Sequence, residues 1–178
     1  MAIYFITGNS GKFNQAKAIL PEIRQLKLDL PEIQSLDPHE IIKEKLKAAR
    51  ERHPGDFIVE DMSMSFSAFK GFPGPLVKWF FESLGNQGIF DVLSKLGDAK
   101  AEAKIVLGLS LGLQVEFFEQ VVKGLIVAPR GGGGFGWDEV FLPEGFDKTY
   151  AEMDEGQRNK VSIRRLVLDK LDSYLEKR

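Results

Sequence analysis

Residues 2–7 form a short apolar, β-branched run that stops at Gly8-Asn9-Ser10-Gly11, after which Phe13, Ala16, Ile19 and Leu20 recur at helical spacing as far as Pro21. A buried strand, a glycine-rich turn and a helix in that order commit the start of the chain to an α/β layer. The alternation continues downstream. Asp37-Pro38-His39-Glu40 supplies an N-cap acid, a proline at the first helical position and a glutamate placed to complete a capping box. Ile41, Ile42, Leu46 and Ala49 mark one face of the helix that follows. Residues 57–59 predict a second short buried strand, which ends at the acidic pair Glu60-Asp61 and delivers carboxylates where clefts of open α/β sheets lie.

Gly71-Phe72-Pro73-Gly74-Pro75 predicts a turn that opens a helix over residues 76–84, closed by Gly85, and a second short helix over residues 89–96 ends at Gly97. Residues 103–111 and 115–127 flank Gly112 as two β-prone stretches, the pattern of a long antiparallel hairpin with a bulge at Lys123-Gly124. Ile163, Leu166, Val167, Leu171, Tyr174 and Leu175 share one face of a final helix. With 178 residues and no repeat or linker, the pattern predicts one α/β domain, or two closely packed lobes, with a sizeable antiparallel part.

Composition narrows the chemistry. There is no cysteine and only His39 and His53 offer imidazole, so disulfides and thiolate chemistry are excluded and a metal site would be built from oxygen ligands. The net charge of -2 gives no general attraction to polyanions, which argues against a nucleic-acid-binding module. No segment reaches membrane-spanning length and the N-terminus lacks a targeting pattern, so the expected location is the cytoplasm. The 14 phenylalanines are expected in the core.

Several short constellations each admit two readings. Thr7-Gly8-Asn9-Ser10-Gly11-Lys12 lies between strand and helix, where backbone N–H groups and the positive helix end favour a phosphate with Lys12 as countercharge, or where a plain turn suffices. It is not a Walker A loop, because its glycines are too close together and Phe13 follows the lysine. Glu60 and Asp61 point to opposite sides if the strand continues through them, so one can face a given cleft and the pair otherwise reads as a solvated strand end. Glu32 is an acid in apolar surroundings. Lys78, alone in an apolar helical run beside Trp79, either snorkels to water or reaches a phosphate. Phe135-Gly136-Trp137-Asp138 offers an aromatic for stacking on a base, a glycine for close approach and an acid that accepts from ring N–H groups, or a structural aromatic turn. Arg164 and Arg165 open the final helix, where cations gain nothing from the helix dipole.

Taken in order, Thr7-Gly8-Asn9 with Lys12, Leu30-Pro31-Glu32, Val59-Glu60-Asp61, Gly71-Phe72-Pro73-Gly74-Pro75 with Val77-Lys78-Trp79-Phe80, Ile126-Val127-Ala128-Pro129-Arg130, Phe135-Gly136-Trp137-Asp138 and Thr149-Tyr150-Ala151-Glu152-Met153 resemble the inosine triphosphate pyrophosphatase family almost from end to end. The resemblance implies an elongated two-lobed α/β fold with a central mixed sheet, a nucleotide cleft between the lobes and assembly as a homodimer. It implies magnesium-dependent hydrolysis of inosine, xanthosine and related deoxynucleoside triphosphates to the monophosphate and pyrophosphate. By the same resemblance Asp61 binds Mg²⁺ and activates the attacking water, and Glu32 helps to hold the metal. Thr7, Gly8, Asn9, Lys12 and Lys78 cradle the triphosphate. Phe135 stacks on the base, and Trp137 and Asp138, with Arg164, read its edge.

The chain departs from the family pattern at the residue after the catalytic acid, here Met62, and at Arg158, where the family carries a lysine. It departs again at Gln15, where the family carries an acid, and at Ser162-Ile163-Arg164, where the family has Ser-His-Arg. The alternative these departures motivate is a nucleotide-binding or sensing protein with little turnover.

Overall fold

The computed structural model describes residues 2–132 and 136–178. Its elements are β1 (Ile3–Ile6), α1 (Ser10–Ile19), β2 (Arg24–Leu26), α2 (Pro38–Arg52), β3 (Asp56–Phe66), β4 (Pro73–Gly74), α3 (Val77–Leu96), β5 (Lys100–Leu111), β6 (Gln114–Ile126), β7 (Phe141–Pro143), α4 (Glu155–Val161) and α5 (Ile163–Leu175). Among the described residues the strands form one mixed sheet in the order β2-β1-β3-β5-β6-β7, with β4 paired to β3 off that path. β1 runs parallel to both β2 and β3, and Phe5 stands in register with Gln25 on one side and Ile58 on the other. β4 pairs antiparallel with β3, and β7 antiparallel with β6. No helix among the described residues is long and apolar enough to cross a membrane.

The chain divides into two compact units. The first holds the residues up to Met62 together with Ile105–Gln120 and Arg164–Arg178, and the second holds Ser63–Lys104 and Val121–Ile163. In the first, Ile6, Ile42, Leu46, Ala49, Phe57, Val59 and Val106 make a dry cluster. α2 contributes the face anticipated from its periodicity, with one charged exception: Lys45 is 7% exposed among Ile41, Ile42, Leu46 and Ala49. Its N-terminus is capped by Asp37, whose side chain accepts from the His39 N–H. The expected capping box does not form, because Ser35 Oγ accepts from the Asp37 N–H and itself donates to Glu40. At the chain start, Asn9 is the N-cap of α1, accepting from the Lys12 N–H at 3.1 Å, and its own N–H donates to Thr7 Oγ1.

In the second unit, Gly85 interrupts α3 with φ 66° and ψ 172°, the break expected between two short helices, and Gly97 ends the element with φ 72°. Part of the phenylalanine excess gathers here, where the Phe80 ring lies 5.8 to 5.9 Å from those of Phe66, Phe69 and Phe72. At Lys123-Gly124, the place of the anticipated bulge, β6 continues unbroken and Gly124 pairs in register with Pro143 of β7. A Cβ at Gly124 would stand 2.4 Å from the Leu142 carbonyl oxygen, so the glycine answers a close backbone approach. A second correction concerns β3, which runs past Glu60-Asp61 as far as Phe66, so the pair lies within the strand instead of at its end. In α5 the buried positions include Ile163, Val167, Leu168 and Leu171, with Leu168 buried where Leu166 was expected.

Gly124→Ala must push backbone against backbone and is expected to cost about 2–3 kcal/mol, as overpacking in a fixed environment does. A urea-denaturation midpoint that does not move would refute the close-approach account.

Candidate active site

β3 carries the two carboxylates of the first unit in succession, and strand geometry turns them to opposite sides. On one side, Lys45 Nζ lies 3.5 Å from Asp61 Oδ1 and 3.0 Å from Glu32 Oε1, and donates to the Glu60 carbonyl at 3.4 Å. The structure thus brings Glu32 and Asp61 to one ammonium, although 28 intervening residues, 33–60, separate them along the chain. Glu32 is largely solvent-exposed, whereas the Asp61 side chain is nearly enclosed and its Oδ2 is buried with no hydrogen-bond partner. Burial pushes the Asp61 carboxyl up, Lys45 pulls it down, and the charges of Glu32 and Glu60 push it up again, leaving it at about 6.

On the other side, Glu60 is 5% exposed and receives two cations. Lys12 Nζ lies 2.6 Å from its Oε1, and Arg164 donates from Nε to Oε2 at 3.0 Å and from Nη2 to Oε1 at 3.2 Å. Arg164 Nη1 donates to Gln15 Oε1 at 2.9 Å. Burial, the largest single influence on Glu60, pushes its carboxyl up. The Arg164 and Lys12 charges and hydrogen bonds together outweigh it and hold the group at about 2. Neighbouring carboxylates with pKa values driven apart are the usual sign that one titrates in the working range while the other stays ionised.

The turn before α1 is ordered by Thr7 and Asn9, while Gly8 is exposed, with nothing within 4 Å of where a Cβ would stand. Met62 is half-buried at the end of this unit. Asp61 and Glu32 suit a hard divalent cation: both give oxygen donors, they share one ammonium, and the Asp61 oxygen left without a donor is a ligand position. Among the described residues no group of three His, Cys, Asp or Glu side chains is placed to hold a metal. Mg²⁺ commonly uses one or two carboxylates and completes its shell with water and substrate phosphate.

The second unit holds the remaining predicted residues. Asp138 is 8% exposed and ion-paired with Arg158 Nη2, and its carbonyl accepts from the Ala151 N–H. Trp137 is half-buried with its ring 5.8 Å from that of Phe81, and the Gly136 carbonyl accepts from Asn86 Nδ2 at 3.1 Å. Phe135 lies outside the described residues. Lys78 is exposed, with its ammonium 5.1 Å above the Trp79 ring, within cation–π reach. Thr149 and Glu152 form a capping box, and the Tyr150 hydroxyl donates to the Val161 carbonyl at 2.9 Å, so this motif anchors the segment that carries Arg158. Ile163 is buried and brings no polar group.

The sequence reading passed over two residues of this site. Lys45 stood at the i+3 and i+4 positions from Ile42 and Ile41, a charge on the apolar face of α2, and that misplacement was the available signal. Glu60 carries no signal in the sequence beyond its place next to Asp61.

The model of the Ham1 family matches residues 3–174. An inosine triphosphate pyrophosphatase of Pyricularia oryzae is 41% identical over 181 residues, covering 99% of this chain and 94% of its own. One of Schizosaccharomyces pombe is also 41% identical, over 98% of this chain and 95% of its own. Among solved structures, the Ham1 protein of Staphylococcus aureus superposes with a TM-score of 0.83 at 26% identity, covering 99% of each chain. A HAM1 protein of Coxiella burnetii, 23% identical, shares the fold with a TM-score of 0.87 over the whole of both chains. Matched from its first strand into the last turn of its final helix, the chain belongs to the Ham1 family.

Proposed function

We propose that this protein hydrolyses inosine, deoxyinosine and xanthosine triphosphates to the monophosphate and pyrophosphate, with Asp61 as the catalytic carboxylate. The observation that carries the reading is the unpartnered Asp61 oxygen on a carboxylate that shares Lys45 with Glu32. The names of the two fungal relatives support the substrate class.

Asp61 and Glu32 would hold Mg²⁺, which when bound supplies positive charge against the phosphate oxygens. Asp61, nearly enclosed on β3 with one buried oxygen free of any hydrogen-bond partner, is the base that takes a proton from the attacking water. The water oxygen bonds to phosphorus, the α–β anhydride P–O bond breaks, the water proton goes to Asp61 and pyrophosphate leaves. Lys45 fixes the two carboxylates, and Thr7, Gly8, Asn9, Lys12 and Lys78 bind the triphosphate. Phe135 stacks on the base; Met62, which follows Asp61 on β3, contacts the substrate by the family resemblance; Gly136, Trp137, Asp138, Arg158 and Arg164 select the base. Arginine donors match the 6-oxo acceptor of hypoxanthine or xanthine and oppose the amino group of adenine. The family resemblance further supports a cytoplasmic homodimer.

Pyrophosphate release from ITP, XTP, dUTP, ATP and GTP with Mg²⁺ tests the reading. ITP and XTP are expected to be cleaved well ahead of ATP, and Asp61→Asn to slow cleavage roughly 10²- to 10⁴-fold, the usual contribution of a general base. Tight ITP binding without magnesium-dependent release would instead favour a sensing protein.

The same variant reports on Asp61 by stability. A carboxyl raised from 3.8 to about 6 favours the protonated native state, so its ionisation destabilises the fold as pH rises through that window. Without metal, Asp61→Asn is expected to be more stable than the parent by roughly 1–3 kcal/mol near pH 7.5, with the gap closing towards about pH 4. Urea midpoints that differ equally at both pH values would contradict the assignment.

A further inference from the structure

We infer that Glu60 is a positioning residue for the proposed hydrolysis, a single buried carboxylate that aims Lys12 and Arg164 as one unit. The inference rests on the proposed function. Every oxygen of Glu60 is engaged: Oε1 with Lys12 and Arg164, Oε2 with Arg164, and the backbone carbonyl with Lys45. One residue of β3 therefore touches all three cations of the first unit's site, including the lysine that carries Asp61 and Glu32.

The geometry ties three elements at one point. Lys12 comes from the first turn of α1, Arg164 from the first turn of α5, and Arg164 also reaches Gln15, one turn beyond Lys12. Arg164 gains nothing from the dipole at a helix start, so its orientation comes from Glu60 and Gln15. Buried ion pairs are weak contributors to stability against an apolar replacement of the same shape, and their best use is to fix geometry. The Lys12 side chain is 29% exposed and that of Arg164 14%, so Lys12 is the arm open to an anion while Arg164 is held. Cations aimed before the substrate arrives need no reorganisation as charge develops on the phosphates.

The test uses the full chain with Mg²⁺ and compares the parent with Glu60→Gln, Arg164→Met, the double variant and Glu60→Asp, reading kcat and KM for ITP and ATP. Glu60→Gln is expected to lower kcat for ITP about 10²-fold, the scale of a 1 Å misplacement, with KM moved much less, and to erode the preference for ITP over ATP. Because both residues act through one unit, the double variant is expected to be no slower than the slower single. Glu60→Asp keeps the charge but is too short to span both partners, and is expected to lose the preference while folding normally. It carries the test if Glu60→Gln does not fold.

Unchanged kcat, KM and preference in a folded Glu60 variant would overturn the inference, as would multiplying losses in the double. A parent that releases no pyrophosphate would refute the proposed function separately. Glu60 would then be judged by calorimetry of ITP binding, where weakened binding in the Glu60 variants supports the positioning role and parental affinity overturns it.

Discussion

β3 sets the chemistry of the first unit because it carries two consecutive acids through the interior. Strand pleating sends Glu60 and Asp61 to opposite sides, and each side meets a different number of cations. Burial raises both carboxyls, yet Lys12 and the paired guanidinium of Arg164 hold Glu60 at about 2, while Lys45, 3.5 Å from Asp61 and shared with Glu32, leaves Asp61 at about 6. One strand thus presents a permanent anion and a titratable one at adjacent positions. Shifting the register by one residue would exchange them and leave the acid without its lysine.

The supports of that arrangement are ordinary packing. α2 buries Ile42, Leu46 and Ala49 against the cluster that includes Phe57 and Val59 of β3, and in doing so takes Lys45 below the surface beside Asp61. The nearby Gly108 leaves room for this, since a Cβ there would stand 2.2 Å from Ile42 Cγ2. The turn before α1 is held locally, with Asn9 capping the helix and Thr7 accepting from Asn9. A core contact, a cap and the ion pairs on either side of β3 therefore determine which polar atoms remain for a ligand, and Asp61 Oδ2 is one of them.

Local signals were readable in the sequence where the cause is local. The strand, turn and helix at the start, the Asp37 cap, the break at Gly85 and the stop at Gly97 each depend on a few adjacent residues. Features set by distant partners were not. Glu40 yields its capping role to Ser35, which no spacing rule reveals. β3 extends beyond Asp61 because its later residues find β4, two residues of which pair with Met64 and Ser65. Gly124 resembled a bulge because its true reason, the Leu142 carbonyl, belongs to another strand. The candidate site divides the same way. Asp61 and Glu32 were legible through ordered motifs, and their common lysine appeared only when α2 was packed.

Around the residues proposed to select the base, the motif residues separate into support and recognition. Thr149 and Glu152 satisfy each other in a capping box, and Tyr150 is tied to the Val161 carbonyl, so their part is to hold the segment that carries Arg158. Asp138 and Arg158 are the polar pair that this support presents, one an acceptor and the other a donor. The edge of hypoxanthine offers a donor at N1 and an acceptor at O6, whereas adenine offers the reverse, so an aspartate and an arginine side by side match the first and oppose the second. Ile163, buried where the family pattern has a histidine, adds no polar group to that reading. On the proposed reading, discrimination in this unit rests on Asp138 and Arg158, and their pairing keeps a buried acid compensated until a base takes its place.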